Sequence, residues 1–348
     1  MKLSTLIFFI FIILGSAFIF VIVFKMTYDP QLAMAKPYLD AISINDTNLK
    51  NLATSLTSDC EGDKNCYVHK IYRYVAENYN YYEDIRGQEV IKKPAETIRD
   101  KGGDCEDFAI LLNSLLENIG IKTYLVLTEG HAYSLACGID PKKLWEYSEE
   151  SLIKKFAEKY GEEKNVKTIV RNNELFIVKD ICLNISLKPG EIYYYGGNGK
   201  KLKNPISYMN LKYEISSDKN IDFYVVDSKK EVELAAKNQE FEYYEGCHNN
   251  SNNINGVCKY LKEYGGVLLI NENPADTKIN LKLNFTFKYD TSKLFKDSFI
   301  QMYKIKGENC VVLDATAGEW GYAGYTNRSL AGNKTAFDSV SREYFYLE

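Results

Sequence analysis

The hydrophobic pattern changes its period near residue 165, and this change constrains the fold more than any other feature. Before it, apolar residues recur every three to four positions. Leu49, Leu52 and Leu56 form one stripe, with Asn45 or Asp46 placed to cap the helix. Val68, Ile71, Tyr72, Val75 and Tyr79 form a second. After it, the period is two. Within 278–288, Ile279, Leu281, Leu283, Phe285 and Phe287 point one way, while Asn280, Lys282, Asn284 and Thr286 point the other. Segments 189–196, 206–216, 221–227, 239–245 and 266–271 are further strand candidates. Short strands at this spacing predict a β-sandwich. A chain of 348 residues has room for two domains. Its 28 Tyr suit strands that keep one face wet. A net charge of −4 offers no nucleic-acid footprint.

The helical half has clear punctuation. Pro94 opens a short helical turn that stops at Gly102-Gly103. Phe108, Leu111, Leu112, Leu115 and Ile119 then repeat with helical spacing up to Gly120, a good C-cap. Strands at 121–127 and 131–137 follow, joined by Thr128-Glu129-Gly130. A Lys- and Glu-rich helix spans 141–160. The Asn-rich stretch 249–255 reads as a loop, and the tail after strand CVVLD reads as a Gly- and Tyr-rich loop.

Leu6 to Phe24 is an uncharged apolar run. At about 1.5 Å per residue it spans the hydrocarbon core, so residues 1–28 are expected to form a single membrane anchor. Ala33-Met34-Ala35 resembles a signal cleavage site, but it lies far beyond the run. The short N-terminal tail favours an extracytoplasmic body, although Lys2 and Lys25 barely bias the orientation. Sequons beginning at Asn45, Asn184, Asn249, Asn284, Asn327 and Asn333 suit an exported glycoprotein. So do eight Cys. Cys60/Cys66 and Cys247/Cys258 flank polar loops and read as disulfide staples. A metal site built from His248 and the second pair matches no common zinc spacing. Cys137, Cys182 and Cys310 have no assigned partners. If Cys105 is free, seven Cys remain and one of them must stay unpaired.

Cys105 stands in the first turn of an apolar helix, where free N–H groups and the helix dipole favour a thiolate. Asp104, Glu106 and Asp107 oppose that by raising the thiol pKa. A nearby imidazole would be needed. Among His69, His131 and His248, His131 is best placed, at the start of a strand. A Cys/His pair supplies the nucleophile and the acid/base of acyl transfer. A buried helix-start Cys beside a turn His is the alternative.

Residues 74–133 resemble the transglutaminase-like superfamily, in particular its archaeal and bacterial cysteine proteinases with a GDCEDxA block. The block is Gly103-Asp104-Cys105-Glu106-Asp107-Phe108-Ala109, preceded by Pro94-Ala95-Glu96-Thr97 and followed by His131-Ala132. The resemblance implies an α+β, papain-like core with nucleophile Cys105, base His131 and an orienting Asp. The family's D-x-T context points to Asp314-Ala315-Thr316, in preference to Asp140 in a GIDP turn. That choice makes 138–304 an insertion between neighbouring core strands, with a β-sandwich at about 186–290. The core is then 40–137 plus 305–348. The sandwich distantly resembles GOLD-type modules, and its ligand is unknown. Gln88, Tyr81 and Tyr82 are candidate second oxyanion donors beside the Cys105 N–H.

The expected function is that of a membrane-anchored cysteine peptidase or amide hydrolase, acting on a peptide or protein substrate without cofactor or metal. A protein-crosslinking transglutaminase and a catalytically inactive cell-surface binding or scaffold protein are the alternatives. A cytoplasm-facing enzyme with reduced Cys is a further one.

Overall fold

The structure, a computed structural model, describes residues 29–85, 88–328 and 333–347. The expected anchor at 1–28 lies outside the described residues. Among those described, no helix is long and apolar enough to cross a membrane. The fold is mixed α and β, with seven described helices. The chain divides into two compact units, 1–148 with 299–348, and 149–298.

The first unit is built around one buried helix. Five helices precede the main sheet: α1 (Pro30–Ala41), α2 (Thr47–Leu56), α3 (Lys64–Asn78), α4 (Pro94–Asp100) and α5 (Cys105–Glu117). Asp46 caps α2, accepting from the N–H groups of Asn48 and Leu49. In α5, Leu111, Leu112 and Leu115 bury against Val68, Ile71 and Val75 of α3. Apolar residues on several sides make α5 a core helix rather than a surface one. A six-stranded antiparallel sheet packs beside it, ordered β12 (Met302–Ile305), β13 (Glu308–Leu313), β4 (His131–Cys137), β3 (Thr123–Thr128), β14 (Lys334–Asp338) and β15 (Tyr344–Leu347). The Ser134 hydroxyl donates to the Ala109 carbonyl, tying β4 to α5.

Several expectations need correction. The tail is not a loop throughout, because β14 and β15 close the sheet edge beyond β3. Ala33-Met34-Ala35 lies inside α1, with Ala35 fully buried against Ile110 and Phe337. Pro30 and Pro37 hide this helix from a reading by pattern.

The second unit holds β5 (Lys167–Arg171), β6 (Glu174–Leu187), β7 (Ile192–Gly196), β8 (Ile206–Val226), β9 (His248–Leu261), β10 (Gly266–Ile270) and β11 (Thr277–Tyr289). These are linked by hydrogen bonds into one continuous seven-stranded sheet, and both halves of β8 share one core with β9, β10 and β11. The reason is β8. The candidate strands 206–216 and 221–227 are a single 21-residue strand that pairs with β11 early, β10 late and β9 along most of its length. The Asn-rich loop is also a strand. Most of β9 is exposed, and only Ile254, Cys258 and Leu261 are buried, so its alternation is faint in sequence. Segment 239–245 is not a strand; helix α7 (Lys229–Ala235) precedes it.

Helix α6 (Pro141–Lys164) crosses the unit boundary. Leu144 and Ser148 pack in the first unit, and Ile153 and Ala157 in the second. The boundary between the two compact units falls within α6, at 148/149.

Disulfides join Cys60–Cys66, Cys137–Cys310 and Cys247–Cys258. The last pair uses up the thiolates that the His248 metal reading required. Cys105 and an exposed Cys182 remain free.

Candidate active site

Cys105 is the first residue of α5, held by a reciprocal cap. Asp104 accepts from the Asp107 N–H, and Asp107 accepts from the Asp104 N–H. Asp107 also takes the Lys92 N–H at 2.8 Å. The approach to the helix requires glycine. A side chain on Gly103 would strike Asp107, and one on Gly102 would strike the Asn80 carbonyl and the Tyr82 ring. That closeness lets β1 (Asn80–Tyr81) pair with β2 (Gly102–Gly103), which holds Tyr81 at the cleft.

His131 opens β4 after a two-residue turn, with Thr128 and His131 in register and Gly130 at φ +74°. Asp314 follows β13, whose Leu313 lies opposite Ser134 of β4. The strand pairing thus brings together two residues far apart in sequence. His131 Nε2 lies 3.0 Å from Asp314 Oδ2. The Thr326 hydroxyl donates to the same oxygen, while the N–H and hydroxyl of Thr316 donate to Oδ1. Asp314 is 1% exposed. Burial pushes its pKa up, but the donors from His131, Thr326 and Thr316 outweigh this and hold it below the ordinary carboxylate range. With Nε2 committed to Asp314, Nδ1 is left for another partner. Asp140 does different work. Its Oδ1 accepts from the N–H groups of Lys142 and Lys143 at the start of α6.

Cys105 and His131 line one cleft of about 390 Å³, together with Met34, Tyr38, Tyr81, Asp84 and Glu89 among others. The N–H of Ala132, the residue after His131, acts on the Cys105 sulfur in the direction that lowers its pKa. Of the candidate oxyanion donors, Tyr81 lines the cleft. Tyr82 packs over Gly102, and exposed Gln88 donates its N–H to Ile85.

The cleft is acidic. Burial, then the charge of Glu106, pushes the Cys105 thiol up to about 12. The thiol donates to Glu106 Oε2 at 3.2 Å. Burial and the neighbouring Glu89 and Asp104 raise Glu106 in turn, and burial raises Asp104. Oxygens of Asp84, Asp104 and Glu106 lie within 4.8 Å of one another, a spacing able to hold a cation, although the sequence alone suggested no metal. Asp84 and Glu89 come from the loop before α4, so only their acidic, Tyr-rich context hinted at the cluster.

A Glu106→Gln change removes the second-largest cause of the raised thiol pKa. The expected fall is at least about one unit, or tenfold more thiolate at pH above about 8, where Glu106 is ionised. Iodoacetamide alkylation of Cys105 in a Cys182→Ser background measures this. An unchanged rate would show that Glu106 does not govern the thiol.

Residues 50–140 match the family model of the transglutaminase-like superfamily. The matched span contains Cys105 and His131 and ends before Asp314. This superfamily contains cysteine-dependent enzymes. No curated protein matches the sequence. Among solved structures, the chain is similar to a de novo designed double-stranded β-helix at 11% identity, covering 30% of this chain and 97% of that one, with a TM-score of 0.19. It is also similar to the capsular polysaccharide assembling protein CapF from Staphylococcus aureus at 10% identity and a TM-score of 0.14. That match covers 66% of this chain and 63% of CapF, less than two thirds of its length. Scores this low carry no argument about either unit.

Proposed function

We propose that the transglutaminase-like domain is a thiol-dependent acyl-transfer enzyme, acting first as a peptidase or amide hydrolase. The observation that carries this reading is the shared cleft. Cys105 and His131 line it, and His131 is hydrogen-bonded to buried Asp314.

Cys105 Sγ attacks the acyl carbonyl as His131 Nδ1 takes the thiol proton. Asp314 holds the ring and stabilises the imidazolium that forms. His131 then protonates the departing amine, leaving a thioester on Cys105. Water, losing a proton to His131, attacks the thioester and releases the acid and the thiol. The raised thiol pKa favours this general-base route over a resting ion pair.

A second reading, acyl transfer to an amine, is favoured by the acidic lining. A primary amine arrives as a cation, and Asp84, Glu89 and Asp104 would draw it in. The reading of a membrane-anchored, extracytoplasmic body rests on the Leu6–Phe24 run and is supported by three disulfides.

Full-length protein incubated with a fluorogenic peptide library and a fluorescent primary amine separates these readings. New peptide ends indicate hydrolysis, and amine incorporation indicates transfer. If neither exceeds a Cys105→Ala control, the enzymatic reading falls and a binding or scaffold role takes its place.

A further inference from the structure

The cleft beside Cys105 carries more negative charge than acyl transfer uses. Glu83, Asp84, Glu89, Asp104 and Glu106 line it, and its described lining residues include no Lys or Arg. One oxygen each from Asp84, Asp104 and Glu106 lies within 4.8 Å of the other two. These groups are fixed in place. The Val90 N–H donates to Asp84 Oδ2, and the Tyr38 hydroxyl donates to Glu89 Oε1. Asp104 accepts from the Asp107 N–H in the cap of α5.

A second observation is independent of the charge. Glu106 is only 5% exposed, so water barely reaches its side chain. Its Oε2 accepts from the Cys105 thiol, but its Oε1 is buried with no hydrogen-bond partner. A buried acceptor is costly to leave open. The groups beside it, Glu89 and Asp104, are carboxylates as well. They can share a proton with Glu106, but an ionised carboxylate has no hydrogen to give. Because Glu106 lines the cleft, a donor carried in by a bound molecule would complete it.

The spacing selects the donor. A Lys ammonium has three N–H groups and no acceptor. Three tetrahedral hydrogen bonds of about 2.8 Å hold their acceptors about 4.6 Å apart, which fits the three carboxylates. Glu106 Oε2 is 3.2 Å from Cys105 Sγ. A cation bonded to Oε1 of the same carboxylate therefore sits within about 8 Å of the sulfur. The four-carbon stem of Lys covers that distance from the residue whose carbonyl Sγ attacks.

We propose that this corner of the cleft is a subsite for a Lys side chain on the residue that supplies the acyl carbonyl, with its ammonium on Asp84, Asp104 and Glu106. The inference rests on the acyl-transfer reading and narrows its substrate to peptides with Lys immediately before the scissile bond. This Lys enters with the acyl group and is not the amine that would accept it.

The test needs thiol reactivity but no turnover. Full-length protein with Cys182→Ser is treated, in EDTA, with four methanethiosulfonate reagents that attach to Cys105. They carry a methyl, a 2-aminoethyl, a 2-(trimethylammonio)ethyl or a 2-sulfonatoethyl group. Each rate is divided by that reagent's rate with mercaptoethanol, and mass spectrometry confirms the adduct on Cys105. The aminoethyl reagent should react at least about tenfold faster than the methyl reagent, and the sulfonate more slowly than either. The trimethylammonio reagent has the same charge but no N–H, and should fall at least about threefold behind the aminoethyl one. Glu106→Gln and Asp84→Asn should each remove most of the aminoethyl preference. The ratio is the readout, because Glu106→Gln also changes the thiol itself. Equal rates for the two cationic reagents would show a diffuse negative field and overturn the subsite. So would a preference that survives both substitutions. A preference abolished by micromolar calcium chloride would assign the carboxylates to a divalent ion and overturn it as well. In these cases labelling of Cys105 by the methyl reagent leaves the acyl-transfer reading standing. A Cys105 that reacts with none of the four overturns that reading and the inference with it.

Discussion

Asp314→Asn should lower the rate of Cys105 acylation by about 10³-fold or more while leaving the fold intact. The carboxylate of Asp314 is buried and acceptor-only. Its two oxygens take donors from His131, Thr326 and Thr316. An Asn has one acceptor oxygen and a donor NH₂ group. If the oxygen stays on Thr316, the NH₂ faces His131 Nε2 and Thr326. His131 must then present a lone pair there, which places its proton on Nδ1. That tautomer cannot take the thiol proton. Acylation by a p-nitrophenyl ester, followed by release of nitrophenol, reads the rate. Circular dichroism and the unfolding midpoint confirm that the variant is folded. A variant within tenfold of the parent would show that Asp314 supports the strands rather than the imidazole.

The second large effect concerns stability. Cys137 and Cys310 lie opposite each other in β4 and β13, the strands that lead to His131 and Asp314. Their disulfide closes a loop with a sequence separation of 173, so chain entropy assigns it about 5 kcal/mol. The Cys60–Cys66 bridge, with a separation of 6, is worth about 2 kcal/mol on the same basis. Replacing Cys137 and Cys310 by Ala should therefore cost more than twice as much as replacing Cys60 and Cys66. Urea unfolding followed by tryptophan fluorescence compares them, since Trp145 packs against Tyr322 of the first unit. Equal losses would mean that the denatured chain does not feel the long loop, as when the second unit stays folded after the first has opened.

The parts of the site that are local in sequence were legible there. Cys105 announces itself through two glycines, a capping Asp and an apolar helix. His131 follows from a short turn between two apolar strands. Asp314 was reachable only through the D-x-T resemblance, and it meets His131 because β13 pairs with β4, a contact that no periodicity reports. The acidic cluster was half visible. Asp104 and Glu106 flank Cys105 in the chain, but Asp84 and Glu89 reach the cleft by the path of a loop.

The fold divides in the same way. Strand β11 alternates cleanly because one face is buried along its length. Strand β9 is wet on most of both faces, and its place is set by the hydrogen bonds of β8. Helix α1 contains two prolines, and its burial depends on small alanines and Leu39 rather than a broad apolar stripe. Where backbone pairing or small side chains fix an element, the hydrophobic pattern says little.

The most direct measurement of the central claim is mass-spectrometric mapping of the acyl adduct formed by a p-nitrophenyl ester, in the parent protein and in His131→Ala. A single thioester on Cys105 is expected, formed at least about 10²-fold more slowly in the variant near neutral pH. The gap should narrow as pH rises toward the thiol pKa of about 12, where hydroxide can replace the imidazole as base. An adduct located elsewhere, or equal rates in the two proteins, would contradict a Cys105–His131 acyl-transfer site.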